Sequence, residues 1–186
     1  SNSTRALVAG GNGVSGTVDI EYFTIATTGN GTDLADLSES RYGLAGCSNG
    51  TRAVFGGGKS SKDTIDYKDF ETSNATDFGN LSYGRGYIGA AQSHPAGRGI
   101  FSGGENNAGI DYITIASPGN ASDFGDASGT ETATGCTSNA TRGIIAGNYS
   151  PDGDTINYIT IANTGNATDF GNLTRNDGYV CASSGD

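Results

Sequence analysis

One histidine, three cysteines and a recurring set of aspartates are the residues with which this chain could make or break bonds. A Ser–His or Cys–His nucleophile pair could draw only on His94, which precedes a proline and reads as a solvated loop residue. Cys47, Cys136 and Cys181 have no CxxC spacing and no flanking Lys, Arg or His, so neither a zinc site nor a lowered-pKa thiolate follows. They read as small buried hydrophobes. Gly56-Gly57-Gly58-Lys59 lacks the GxxxxGK[ST] spacing of a phosphate-cradling loop. Asp33, Asp77, Asp123 and Asp169 each follow Asn-x-Ser/Thr, where a carboxylate bonds nearby backbone amides and locks a turn. Calcium is the only cofactor option, through hard oxygen donors, and Asp152-Gly153-Asp154 is the nearest fragment to a calcium loop. No catalytic set and no metal site is expected, and the chain does not read as an enzyme.

Composition narrows the partners. Ten Lys and Arg stand against 20 Asp and Glu, a net charge of −10. Nucleic-acid binding needs a basic stripe to displace counterions, and an anionic membrane surface would repel this chain. No apolar run approaches the ~20 residues that would insert in a bilayer as a helix. Glycine supplies 32 of the 186 residues without the every-third-residue period of collagen. Methionine is absent, which fits a piece of a longer product.

The elements that must position any site come from an internal repeat. Ile113-Thr-Ile-Ala-Ser-Pro-Gly-Asn-Ala-Ser-Asp-Phe-Gly125 recurs as Ile159-Thr-Ile-Ala-Asn-Thr-Gly-Asn-Ala-Thr-Asp-Phe-Gly171. Phe23-Thr-Ile-Ala-Thr-Thr-Gly-Asn-Gly-Thr-Asp-Leu-Ala35 and, more distantly, Lys68-Asp-Phe-Glu-Thr-Ser-Asn-Ala-Thr-Asp-Phe-Gly79 are further copies. Tyr22, Tyr67, Tyr112 and Tyr158 are spaced by 45, 45 and 46 residues, and Arg5, Arg52, Arg98 and Arg142 align as well. Four units, approximately 1–47, 48–92, 93–137 and 138–186, fill one domain.

Each unit reads as four short strands. In the second, Tyr42-Gly-Leu-Ala-Gly-Cys47 is a small-residue strand and Arg52-Ala-Val-Phe55 an apolar one stopped by glycines. Thr64-Ile-Asp-Tyr-Lys-Asp-Phe70 alternates as a strand does, a turn falls at 72–74, and a last strand surrounds Thr76-Asp-Phe78. No apolar stripe keeps helical spacing for three turns. The fold class is all-β, and four-stranded units at this period are the pattern of β-propeller blades.

The unit resembles a Kelch-type blade. Arg41 and Arg85 precede inner strands, Gly10-Gly11, Gly57-Gly58 and Gly103-Gly104 end second strands, with Ala146-Gly147 as the divergent copy, and the four tyrosines lie in third strands. The fourth-strand Trp of that family is replaced by Leu34, Phe78, Phe124 and Phe170. The Ile-Thr-Ile-Ala cassette is similar to Kelch-like arrays in virion and tail-fibre-like proteins of tailed phages, especially marine and cyanobacterial ones. That resemblance implies a viral structural protein, located in the virion or outside the cell. It implies as partners a host-surface glycan or protein and other virion or fibre subunits. It also makes the ten Asn-x-Ser/Thr sites turn chemistry rather than glycan acceptors. The chain starts at a second strand and ends at a first, so residues 179–182 are expected to pair with 5–9 and close a four-bladed ring. Phe78 and Phe170 are expected in the core. The alternative is half of a larger ring, completed by a second copy.

Loops then map a face. The second-to-third loops, 12–19, 59–64, 105–109 and 148–155, and the connections between blades differ among copies, whereas the turns around Gly29-Asn30, Gly119-Asn120 and Gly165-Asn166 hardly change. Variable loops on a rigid scaffold are the usual place for binding. Candidate ligand contacts on that face are Tyr149 and Tyr83 as sugar-stacking rings, with Asp152, Asp154, Lys59, Lys62, Glu105, Asn106, Arg41 and Arg85 as polar partners. Two functions fit: a receptor-binding module of a virion or fibre, or a purely structural assembly unit.

Overall fold

The computed structural model describes residues 1–12, 17–70, 74–92, 97–149 and 153–183. His94, Asp152 and the first two residues of the expected 72–74 turn lie outside them. Every regular element among the described residues is a strand, as the missing helical periodicity requires. The first sheet holds β1 (Arg5–Ala9), β2 (Thr17–Thr24) and β3 (Thr32–Arg41). The second holds β4 (Ala45–Ser48), β5 (Arg52–Gly58), β6 (Lys62–Asp69) and β7 (Thr76–Asn80). The third holds β8 (Gly89–Gln92), β9 (Arg98–Ser102), β10 (Asn107–Thr114) and β11 (Ser122–Glu131). The fourth holds β12 (Gly135–Ser138), β13 (Arg142–Ala146), β14 (Thr155–Thr160) and β15 (Thr168–Asn172). Each sheet is an antiparallel meander in chain order, the arrangement of propeller blades.

The repeat survives as register. Tyr22, Tyr67, Tyr112 and Tyr158 face Leu7, Val54, Ile100 and Ile144 across the second-to-third strand pairing. The aligned arginines then lie over these rings, with guanidinium carbons 4.6, 4.1, 4.4 and 4.3 Å from the centroids. In the last three sheets the same ring also meets Phe78, Phe124 or Phe170 edge-on at about 6 Å. Three of the four aspartates act as their spacing suggested. Asp77, Asp123 and Asp169 accept the amide of the glycine two residues on, at 3.1, 3.0 and 3.0 Å. The Gly-Gly signature has a steric cause at Gly57. Its φ is 72°, and a Cβ there would stand 2.6 Å from the Arg85 carbonyl oxygen.

The core lies between sheets. Ile20, Leu37, Phe55 and Phe70 pack the first seam, Val54, Phe78, Phe101 and Ile115 the second, and Ile100, Phe124, Ile145 and Ile161 the third. Inner strands β4, β8 and β12 line one axial space of about 200 Å³ together with Ala182 and Ser183, which stand where a fourth inner strand would be.

The expected closure is not formed. Residues 179–183 lie in no strand, β1 pairs only with β2, and a groove of about 370 Å³ separates β1 from β4 and β5. The end positions lose cover accordingly. Phe170 is 55% exposed and Ile25 54% exposed, whereas their counterparts are buried, Phe78 and Phe124 against the following sheet and Ile115 and Ile161 against the preceding one. Val8, aligned with buried Phe55 and Phe101, is also exposed. Phe170 therefore keeps its register and departs from the expected burial because no fifth sheet covers it. Cys47 is buried, Cys136 half-buried and Cys181, in the unpaired C-terminal segment, exposed, so the expectation of three buried thiols holds in full only at Cys47.

Candidate functional site

Connections between sheets and second-to-third loops meet on one face. Lys59 N–H donates to the Tyr42 carbonyl at 2.8 Å, and Tyr149 N–H to the Thr132 carbonyl at 3.0 Å. Each connection also hooks to the one before it: Tyr87 N–H to the Gly43 carbonyl, Ala133 N–H to Tyr87, and Tyr179 N–H to Ala133. Positive φ at Gly43, Tyr87, Ala133 and Tyr179 makes this ladder possible.

On that ladder stands a row of tyrosines. Tyr42 meets Tyr87 edge-on at 6.4 Å, Tyr87 meets Tyr179 at 6.0 Å, and Tyr179 meets Tyr149 at 5.3 Å. Tyr149 is 69% exposed, and Tyr179 is also exposed. Lys59 Nζ stands 5.4 Å from the Tyr87 centroid and pairs with Glu105 at 2.9 Å, a contact that holds the lysine pKa up. The result is a row of aromatic rings set edge to face, with a cation and a carboxylate beside it.

The other expected contacts divide. Lys62 pairs with Glu39, and Asn106 is exposed and tied to Thr132. Burial pushes the Glu39 carboxyl up, but hydrogen bonds from Lys62 and Thr64 outweigh it and leave the pKa below the ordinary carboxylate value. Asp154 is half-buried, and its carbonyl accepts the Leu173 amide. Tyr83 is not the exposed ring expected of it. It is half-buried, with Arg85 4.1 Å over its face and its hydroxyl on Asn107.

Arg41 and Arg85 are likewise not surface contacts. Both are buried between sheets, where they pair with Asp66 at 2.6 Å and Asp111 at 2.9 Å. Burial lowers both guanidinium pKa values and the facing aspartates oppose that shift. Ser38 and Ser82 hydroxyls donate to the same carboxylates at 2.9 and 3.0 Å. A β-bulge after Ile65 and after Ile110 turns these aspartates toward the seam. The arginines hold sheets together.

At the third seam the aligned residue is Glu131, buried, with its pKa pushed up to about 7 by desolvation; hydrogen bonds from Ser102 and Asn157 oppose the shift. Burial also lifts the Cys47 and Cys136 thiols to about 12, far from a reactive thiolate. Among the described residues, no three His, Cys, Asp or Glu side chains come together as a metal site would need. Sequence reasoning passed over Tyr42, Tyr87, Tyr179, Glu131 and Asn157. For the last two the signal was there, as a double exchange against the aligned Arg–Asp pairs. Compared with known proteins, the chain matches no family model and no curated sequence.

Proposed function

We propose that the chain is a Kelch-like, propeller-type scaffold of four blades, and a non-catalytic module of a virion or tail fibre. It presents its variable-loop face to a glycan or protein of a host surface. The observation that carries this reading is the tyrosine row ending at Tyr179 and Tyr149, two exposed rings 5.3 Å apart, bordered at Tyr87 by the Lys59–Glu105 pair. Aromatic faces beside hydrogen-bonding groups suit sugar rings, which are apolar on one side and polar at the edge. A glycan-array screen of the native chain against Tyr149→Ala and Tyr179→Ala tests it. Binding that falls at least tenfold in both variants, with an unchanged melting temperature, supports the reading. Equal binding in all three, or none on any array, removes it.

A second reading, the assembly unit, has its own support. Exposed Val8 and Ile25 at one end repeat positions that are buried wherever a blade precedes, and Phe170 at the other repeats one that is buried wherever a blade follows. Such ends would bury apolar area against each other, closing the four-bladed ring, or against a second copy.

A further inference from the structure

The first two seams are each closed by a buried Arg–Asp pair, and the third is not. In the first, the Arg41 guanidinium is gripped by the carbonyl oxygens of Gly57 and Thr64 and by Asp66. In the second, Arg85 binds Asp111 and the Phe101 carbonyl. In the third, Glu131 aligns with the arginines and Asn157 with the aspartates. A cavity of about 170 Å³ opens there, walled by Glu131, Gly147, Thr155 and Asn157 among others. Gly147, Thr155 and Asn157 are the counterparts of Gly57, Thr64 and Asp66, the three groups that grip Arg41.

Two further observations point to a ligand. Asn157 is 1% exposed, and while its amide N–H donates to Glu131 at 3.1 Å, its Oδ1 has no hydrogen-bond partner. A buried amide oxygen without a donor is costly. Among the described residues, the mouth also lacks the side chain that stands at the other two seams. Two residues before the seam arginine stand Glu39, bound to Lys62 and Thr64, and Tyr83, stacked on Arg85. The aligned residue at the third seam is Gly129, where a Cβ would meet no atom within 4 Å.

We infer that this cavity binds an alkylguanidinium ion from solution, in the place that Arg41 and Arg85 fill from within the chain at the other two seams. Its planar fork of N–H donors matches the Glu131 carboxylate and Asn157 Oδ1 with no acceptor left over to clash. The volume corresponds to roughly five or six waters, room for a guanidinium and its first methylene. A divalent metal suits the walls less well, because Glu131 is the only carboxylate among the described residues that form them and calcium takes about six to eight oxygens. No tyrosine of the row lines this cavity, and the assignment stands whether or not that row binds a glycan.

The test is calorimetric titration of the full chain with methylguanidinium, with tetramethylammonium and calcium chloride as comparisons, and thermal melts alongside. Saturable one-to-one binding of methylguanidinium and a rise in melting temperature are expected. Glu131→Gln keeps the shape and the hydrogen-bonding reach but removes the charge, and should weaken binding about tenfold or more. Glu131→Arg with Asn157→Asp writes the sister ion pair into this seam. It should fold and bind no methylguanidinium; if it fails to fold, Glu131→Gln alone decides. Absence of saturable binding, binding that both variants leave intact, or a preference for calcium with the same Glu131 dependence would each overturn the assignment.

Discussion

At the scale of single residues, Glu131 is where the repeat and its chemistry part. A carboxyl with its pKa raised from 4.5 to about 7 binds its proton more tightly folded than unfolded. Its contribution to stability is therefore complete below about pH 4.5, lost progressively as pH rises to about 7, and absent above that. The span corresponds to something of order 3 kcal/mol. Glu131→Gln should flatten this dependence, since the amide can still accept from Asn157 while the Ser102 hydroxyl turns to accept from it. Urea unfolding at pH 5 and pH 8 checks the point: the variant should gain on the native chain at pH 8 only. An equal difference at both pH values would mean that Glu131 does not titrate on folding. The recurrent residues were legible in the sequence because each does one local thing. Tyr67 stacks on an arginine across one strand pair, and Asp77 caps an amide two residues away. Arg41 was misread because its partner, Asp66, sits 25 residues on, in the next sheet, where local pattern gives no hint.

At the scale of elements, burial follows from having a neighbour rather than from residue type. The Phe78 and Phe124 carbonyls receive the Gly119 and Gly165 amides of the following sheet at 2.7 and 2.6 Å. The approach is so close that a Cβ on Gly79 or Gly125 would lie 2.5 Å from that backbone. Gly171, after Phe170, meets nothing within 4 Å. Phe78→Ala should cost ~3–5 kcal/mol, while Phe170→Ala, more than half exposed, should cost about 1 kcal/mol or less. Chemical denaturation of the two variants separates them, and equal large losses would mean that the last blade is covered in solution. The four-stranded unit and its register were readable from the copies. Whether the first and last copies meet was not, since that depends on the angle accumulated across seams and not on any strand's own sequence.

At the scale of the whole molecule, the exposed ends and the decorated face make different demands. Ends that bury Ile25 and Phe170 against each other between chains should give mass-dependent association, seen by sedimentation as a dimer or larger species that Ile25→Asp dissolves. A strictly monomeric chain at all concentrations would leave the assembly reading without support. The variable loops and the connections between blades meet on one face, as their order in the repeat suggested, but the tyrosine row on it was not foreseen. Its members occupy non-equivalent places, Tyr42 and Tyr87 in connections, Tyr149 in a loop and Tyr179 near the end of the chain, and only the fold aligns them. The central claim is that this row is the binding surface. Hydrogen–deuterium exchange of the chain with and without the glycan retrieved from the array tests it most directly. Protection on binding should concentrate at the amides of Lys59, Tyr87, Ala133, Tyr149 and Tyr179. Protection confined to the repeated turns around Gly119-Asn120 and Gly165-Asn166, with the tyrosine face unchanged, would contradict it.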